Sequence, residues 1–430
     1  MSLPNEIWRT ICELSEVETA KNLRLVNKQL SIVAAERALR VVRLTLFPPS
    51  ISTLSEMCEN SHFSRHPAQI NICECRLKEG MLLPKLKTFP DWDGRENEAR
   101  NLETVHHRLF TTEGATKVLT DAIRGLPNLK SIVLGNRYGD VCPTAKYISS
   151  HLGTENSVVE CLGAQSLFKP LVQAVLASNR AIDKLFIRAA TGPSCWSVEN
   201  QQWMQVTTMP FSALKLLAIY LELAKEGDVI SSDHQAGNFP PSPSAVRSIF
   251  VAAANVERLY LMNSRVNPDR YGFGERLPRW NGAGAFENIL WPRLRDITIT
   301  NCRLDANILT TFLIRHSKPL KSLIFYSNEL TGDFDNASGS NTWEAVISIL
   351  ARNLKLSFVG LGDLTDRRQT SSLFTYQATP RESRIDLKTL LRVWEKELKL
   401  YLRESRGDPS WAGYLPVLTK PRVLACEFRI

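Results

Sequence analysis

Five residues between positions 58 and 75 have side chains that can bind zinc. They are Cys58, His62, His66, Cys73 and Cys75. On a helix, positions 58, 62 and 66 share one face, and the following Cys-x-Cys pair would complete a tetrahedral site of thiolate and imidazole ligands. The spacing matches none of the common zinc modules, and Pro67 ends a helix directly after His66. We therefore predict no metal site.

The sequence also lacks the motifs of common catalytic sites. It has no Gly-x-Ser-x-Gly nucleophile elbow, no phosphate-binding loop ending in Gly-Lys-Ser/Thr, and no dinucleotide-binding glycine fingerprint after a strand. His106 and His107 stand beside Arg108, which indicates a polar loop and not a general base. We therefore predict no catalytic residue, no cofactor and a non-catalytic role.

Composition favours a folded protein of the cytosol or the nucleus. Apolar residues make up 43% of the 430 positions. No signal peptide is recognisable at the start, and no stretch approaches the roughly 20 apolar residues of a membrane helix, so no membrane contact is expected. The nine cysteines are an odd number without a regular framework, which is typical of reduced thiols.

The formal net charge of +9 favours an acidic partner through long-range attraction. The Lys and Arg residues are spread along the sequence, however, whereas nucleic-acid-binding proteins usually gather them on one face. We therefore do not predict a nucleic-acid partner.

The first 46 residues contain two amphipathic stretches. Apolar residues recur at helical spacing at positions 7, 11 and 14, and again at 23, 26, 30 and 33, which predicts two short helices with one apolar stripe each. Pro4 suits the first turn of a helix. A segment this short cannot bury both stripes by itself, so it needs a partner surface on this chain or on another.

This segment resembles an F-box. The resemblance rests on the Leu-Pro-x-Glu-Ile start at residues 3–7, the Ile and Leu at positions 11 and 14, and the Leu-Arg-Leu-Val-Asn-Lys run at residues 23–28. Leu30 stands where the family often has Trp or Phe, and Asn27 where it usually has Cys or Ser.

The F-box resemblance implies docking onto the Skp-type linker subunit of a cullin-RING ubiquitin ligase, while the rest of the chain holds an unidentified protein substrate. Other subunits would then carry out ubiquitin transfer. The residues expected to dock onto the linker subunit are Leu3, Pro4, Ile7, Ile11, Leu14, Leu23, Leu25, Val26, Lys28 and Leu30. Some of them must hold the helices together instead. The alternative is that all of them pack the segment onto the rest of the chain as a cap.

The remainder of the sequence repeats a short strand-like phrase of the form apolar-x-x-apolar-x-apolar. The phrase starts at Leu129, Ile182, Leu214, Val256, Leu294 and Leu320, with a looser copy at Leu354 and a possible first copy at Leu39. A helix candidate precedes several copies, and such alternation predicts parallel strands joined by helices. The region resembles a degenerate leucine-rich repeat solenoid, with Asn136, Asn263, Asn301 and Asn328 as patchy copies of the repeat asparagine. An ordinary α/β domain is the alternative.

Long insertions interrupt the repeats. The loop from Arg265 to Pro292 combines Arg with aromatic residues, which is typical of binding hot spots. The residues predicted to contact the target are Arg270, Tyr271, Phe273, Arg276, Arg279 and Trp280. The alternative is that the aromatic side chains only fasten the loop to the domain.

The sequence thus predicts an α/β protein with four parts. They are a docking module at 1–46, a connecting region and first irregular repeat at 47–114, a repeat domain at 115–386, and a capping helix with a tail at 387–430. The predicted function is that of an adaptor in a ubiquitin ligase. The alternatives are a repeat scaffold that binds protein without a ubiquitin role, and an enzyme with a pocket in one of the loops.

Overall fold

The computed structural model describes residues 4–77, 96–135, 159–162, 167–190, 211–222, 243–264, 280–326, 328–331, 343–362, 364–366 and 424–425. The protein is mixed α/β, and most of its strand pairs are parallel, as the alternation of helix and strand phrases predicted. The chain divides into two compact units. Unit 1 is Met1–Ile182 with Leu400–Gly413, and unit 2 is Asp183–Lys399 with Tyr414–Ile430. The boundary between them falls inside the range 115–386, and the four-part division stays a prediction.

Unit 1 combines seven described helices with a small sheet. The helices are α1 (Asn5–Leu14), α2 (Val17–Leu23), α3 (Lys28–Ala38), α4 (Pro48–Glu59), α5 (Glu96–Leu109), α6 (Thr112–Gly125) and α7 (Phe168–Ser178). The strands are β1 (Val41–Thr45), β2 (Gln69–Leu77), β3 (Ser131–Leu134) and β4 (Val159–Leu162). β1, β2 and β3 lie side by side in parallel, and β4 pairs with β2 in the antiparallel sense.

Unit 2 contains a main sheet and a small second sheet. Its described helices are α8 (Pro243–Ala252), α9 (Ala306–Arg315) and α10 (Trp343–Asn353). The main sheet consists of β5 (Lys184–Ala190), β6 (Leu216–Glu222), β7 (Arg258–Ser264), β9 (Asp296–Thr300), β11 (Ser322–Tyr326) and β13 (Phe358–Gly362), all parallel, with β15 (Leu424–Ala425) antiparallel on β13. The second sheet is parallel and consists of β8 (Trp280–Asn281), β10 (Cys302–Asp305), β12 (Glu329–Thr331) and β14 (Thr365–Asp366).

The strand phrases fall on strands with their apolar residues aligned across the sheet. Leu217 lies opposite Leu259, which lies opposite Ile297, and these side chains are buried. Since successive side chains point to opposite faces, one alternating phrase gives each strand one buried face. The looser copy at Leu354 was placed two residues too early, because β13 begins at Phe358 and pairs Val359 with Leu323.

One backbone motif recurs where the strands begin. The carbonyl of the residue before one strand accepts hydrogen bonds from two consecutive N–H groups at the start of the next strand. In unit 1, Ala68 N–H and Gln69 N–H both donate to Arg40. In unit 2 the accepting carbonyls belong to Asp183, Lys215, Glu257, Arg295 and Lys321. The same local geometry therefore repeats from strand to strand within each unit.

Side-chain amides connect neighbouring strand ends in unit 2. Asn328 is fully buried; its Oδ1 accepts from the N–H of Cys302 at 2.9 Å, and its Nδ2 donates to the carbonyl of Ile299 at 2.8 Å. The side chains of Asn263 and Asn301 each donate to the carbonyl of the other residue, at 3.2 and 3.4 Å. Three of the four asparagines marked in the sequence thus bond to backbone near strand ends, and Asn136 lies outside the described residues.

A buried histidine lies in the aromatic core of unit 2. The Nε2 of His316 accepts from the N–H of Trp291 at 2.8 Å, and its Nδ1 lies 2.7 Å from the carbonyl of Phe312. This pairing requires a neutral ring that carries its proton on Nδ1. Burial lowers the pKa of His316 below its ordinary value of 6.5, and the hydrogen bond to Phe312 opposes that effect.

We expect the protein to lose stability as the pH falls below 6.5, the ordinary pKa of His316. Because the pKa of His316 is lower in the folded chain, the unfolded chain takes up the proton first, so acid favours unfolding. Measuring the free energy of unfolding in urea between neutral and mildly acidic pH checks this. His316→Gln should be less stable at neutral pH and should show a weaker pH dependence. His107→Gln, at an exposed position, should keep the wild-type dependence. An unchanged dependence in His316→Gln contradicts the prediction.

The predicted capping helix lies outside the described residues. Of the range 387–430, the structure describes only Leu424–Ala425.

Candidate functional site

The N-terminal segment folds into three helices, not the two predicted. α1, α2 and α3 follow one another with short connections. The second predicted stripe spans two elements, because Leu23 ends α2, Val26 lies in the connecting turn, and Leu30 belongs to α3. Apolar spacing alone missed the break because the turn from Arg24 to Val26 interrupts the helix without a glycine or proline.

The interior of this three-helix module is small. Cys12, Val33 and Ala34 are buried together, and the half-buried side chains of Trp8 and Leu23 pack against them. Leu30 is only 4% exposed. Leu23 and Leu30 therefore serve mainly to hold the helices together, which corrects the prediction that they form part of the docking face. Ile11 is half-buried.

Other predicted docking residues lie on the surface. Leu25 is 85% exposed, Leu14 72%, Val26 64% and Ile7 46%. Pro4 and Lys28 are also exposed, while Leu3 lies outside the described residues. Ile7 and Leu14 are two turns apart on α1 and so lie on one side of that helix. The module thus presents two apolar groups to solvent, one on α1 and one in the turn before α3.

Polar contacts hold α1 against α3 at the surface. The Nε2 of Gln29 donates to the Oδ1 of Asn5 at 2.8 Å, and Arg9 lies 3.9 Å from Glu36. Both pairs are exposed, so each contributes little free energy. They fix the orientation of α1 more than they stabilise the module.

Asn27 ends the exposed turn by capping the N-terminus of α3. Its extended backbone precedes α3, and its Oδ1 accepts from the N–H of Leu30 at 2.8 Å, which is a typical N-cap. The residue that departs from the F-box pattern therefore caps the third helix, a task that serine also performs.

Replacing the cap should destabilise the module slightly. We expect Asn27→Ala to lower the free energy of unfolding by about 1 kcal/mol, because the N–H of Leu30 loses its partner. Urea denaturation followed by circular dichroism measures this. Asn27→Ser keeps a side-chain oxygen and should stay close to wild type; equal stability of the Ala and Ser variants would contradict the capping role.

The module contacts the rest of unit 1 through Arg24. The buried side chains of α3 include Ala35 and Ala38. The guanidinium of Arg24 lies 5.3 Å from the ring centre of Phe63. Burial lowers the pKa of nearby His66, and the neighbouring His62 and Arg65 act in the same direction. This contact leaves Ile7, Leu14, Leu25 and Val26 exposed.

The loop predicted to contact the target can be described only at its end. Arg270, Tyr271, Phe273, Arg276 and Arg279 lie outside the described residues. Trp280 is 1% exposed in β8, beside β10. Its inclusion in the target-binding set was wrong, because the ring is covered by its own chain. Trp291 is also fully buried and donates to the carbonyl of Phe250 at 3.0 Å, so it fastens the loop as the alternative proposed.

The zinc-like residues are not arranged along one helix. α4 ends at Glu59, and His62 and His66 lie in the turns that follow, with their rings 5.3 Å apart. Cys73 is buried in β2. In the described part of the chain, no three His, Cys, Asp or Glu side chains are placed to share a metal ion.

The positions of His106 and Ile32 were not predicted from the sequence. His106 is in helix α5 and not in a polar loop; it is buried, with its ring 4.6 Å from that of Phe110. Ile32 on α3 is 48% exposed and was not among the predicted docking residues.

Among the helices that the structure describes, none has both the length and the apolar character to cross a membrane.

Comparison with known proteins gives no family for this chain. No protein-family model matches it, and no curated protein matches it. We therefore infer its function from the geometry of the described residues and from the F-box resemblance of its first 46 positions.

Proposed function

We propose that this protein is a substrate-recognition adaptor of a cullin-RING ubiquitin ligase. The three-helix module docks onto the Skp-type linker subunit, and the rest of the chain binds the protein to be modified. Pro4, Ile7, Leu14, Leu25 and Val26 make the apolar contact, and Lys28 orients it. Leu3, next to Pro4, belongs to the same surface by its place in the motif.

The distribution of exposed apolar side chains carries this proposal. In the described part of the chain, the exposed large apolar residues are Ile7, Leu14, Leu25, Val26, Ile32, Val251 and Leu290. Isolated examples are ordinary on protein surfaces, but a concentration of them marks an interaction site. Five of these seven lie between positions 7 and 32, and four of those five belong to the F-box-like pattern. Solvent exposure of these side chains favours an external partner over a capping role.

We infer that both units are built from leucine-rich-repeat-like turns of a solenoid. The repeated pair of N–H groups on one carbonyl, the aligned apolar rows and the buried amide of Asn328 support this, since each gives neighbouring strands the same environment. Such a sheet offers an extended surface to a protein target. The proposed role of the second half of the chain is therefore to hold that target.

The mechanism is proximity. A chain that binds the linker subunit and the target at once brings the target to the conjugating enzyme, so that their encounter becomes nearly intramolecular. No catalytic group is required on this chain.

Direct binding tests the proposal. The purified full chain should form a stable complex with a purified Skp-type linker subunit in size-exclusion chromatography. Affinity purification from cells should recover the linker subunit together with cullin. Absence of the complex at micromolar concentrations of both proteins contradicts the adaptor role. A stable second protein recovered without linker or cullin would favour the scaffold alternative.

A further inference from the structure

Exposed basic side chains gather along one edge of unit 2. We call this the basic edge; it consists of Arg293, Arg295, Lys318, Lys321 and Lys355. The first two precede β9, the next two precede β11, and Lys355 precedes β13. The N–H of Lys321 donates to the carbonyl of Arg295, and the N–H of Ser357 to that of Lys321, both at 2.8 Å. Arg295 and Lys321 therefore lie at equivalent positions directly before two adjacent parallel strands, which are about 4.8 Å apart.

The residues of the basic edge differ from other cationic residues of unit 2 in their ion pairing. Elsewhere in the unit, Arg247, Arg258 and Arg303 lie 3.2 to 3.4 Å from carboxylates. Among the described residues, none of the five side chains of the basic edge has a carboxylate at ion-pairing distance. Two acidic residues are near: Asp296 pairs with Arg258, and Glu257 accepts from the N–H of Arg295 through its backbone. The edge therefore carries five cationic side chains without a direct ion pair among the described residues, and Glu257 flanks it on one side.

The ends of two helices extend this surface. Arg315 is the last residue of α9 and Arg352 lies in the last turn of α10, and both are exposed. Basic residues at these places are stabilised by the helix dipole, which accounts for them without a ligand. The same effect favours Lys318 and Lys355, which follow those helix ends closely, but it does not account for Arg293, Arg295 and Lys321.

We propose that the basic edge binds an acidic segment of the target protein, with Asp, Glu or phosphorylated Ser as its anions. This inference rests on the proposed target-binding role and names the chemistry of the target. A few residues of extended peptide span the three strand starts, and flexible Lys and Arg side chains can reach successive anions. None of the exposed large apolar side chains in the described part is aromatic, so the edge lacks the stacking surface with which proteins bind single-stranded nucleic acid.

Fluorescence anisotropy with the full chain tests this proposal. The probes are a labelled peptide of alternating Glu and Ser, its Ser-phosphorylated form, the same peptide with Gln in place of Glu, and an oligouridine RNA. We expect both acidic peptides to bind and the Gln peptide to fail. Tighter binding of the phosphorylated form identifies phosphate as the anion, and equal binding identifies the carboxylates; either result supports the proposal. Equal binding of the Gln peptide, or tighter binding of the RNA, overturns it.

Two matched variants locate the binding. Arg295→Glu with Lys321→Glu should weaken binding of the acidic peptides about tenfold or more, because two attractive contacts become repulsive. Lys117→Glu with Lys130→Glu makes the same change in net charge at exposed positions of unit 1 and should weaken it less than about twofold, since screening limits the range of charges. Equal losses in both variants overturn the proposal. Both variants should still bind the linker subunit. Loss of peptide binding can therefore be distinguished from loss of linker binding.

Discussion

Leu14→Asp combined with Leu25→Asp should abolish binding to the Skp-type linker subunit. Both side chains are largely solvent-exposed in the free chain, so the charges cost little there. In the complex, each carboxylate would be buried without a partner, which costs several kcal/mol. We therefore expect the dissociation constant to rise about 1,000-fold or more, because each 1.4 kcal/mol is tenfold. Titration calorimetry with the purified subunit measures this.

The chain offers a matched control for this variant. Val251 and Leu290 are 53% and 61% exposed and lie in unit 2. Leu14 ends α1 and Val251 lies in the last turn of α8, so an aspartate meets the same unfavourable helix dipole in both variants. Val251→Asp with Leu290→Asp should keep wild-type affinity for the linker subunit. Wild-type affinity of the Leu14 and Leu25 variant, with its fold intact by circular dichroism, removes the docking surface that we propose.

Asn328→Ala should cause a large loss of stability. The substitution leaves the N–H of Cys302 and the carbonyl of Ile299 without their partner in a buried site. A buried polar group without its hydrogen bond costs about 1 to 3 kcal/mol, so we expect a loss of about 2 to 6 kcal/mol for the two groups. Urea denaturation of the full chain measures the change.

Asn353→Ala is the control for this variant. The Nδ2 of Asn353 also donates to a backbone carbonyl, that of Ile349 at 2.7 Å, but in an exposed position. Water replaces that contact, so the change should stay within about 0.5 kcal/mol. Equal stabilities of the two variants would show that the hydrogen bonds of the buried Asn328 amide do not contribute to the free energy of unfolding.

The strands were predictable because their pattern is local. In the phrase that begins at Val256, the buried Leu259 and Leu261 alternate with less buried residues, and this alternation shows which face of the strand is covered. The helix preceding β3 extends over Thr112–Gly125, where the side chain of Thr111 caps it by accepting from the N–H of Gly114. Local periodicity and capping thus determined most of the described elements.

The division of apolar residues between interior and surface was not predictable in the same way. Ile7, Leu14 and Leu30 are equally apolar and all lie on helices, yet only Leu30 is covered. Which neighbour covers a side chain depends on contacts between residues distant in the sequence, as with Trp280 beside β10. The sequence motif therefore indicated the segment that we propose for docking, and packing decided which of its side chains are exposed.

By itself, the sequence determined the α/β class, the amphipathic start of the chain and the faces of the strands, because each is set by spacing within one element. Only the tertiary structure decided that Trp280 is buried, that Asn27 caps the third helix, and that Arg295 and Lys321 lie side by side at the starts of adjacent strands. Basic residues that are scattered along the sequence gather on one edge because parallel strands bring equivalent positions of neighbouring strands side by side.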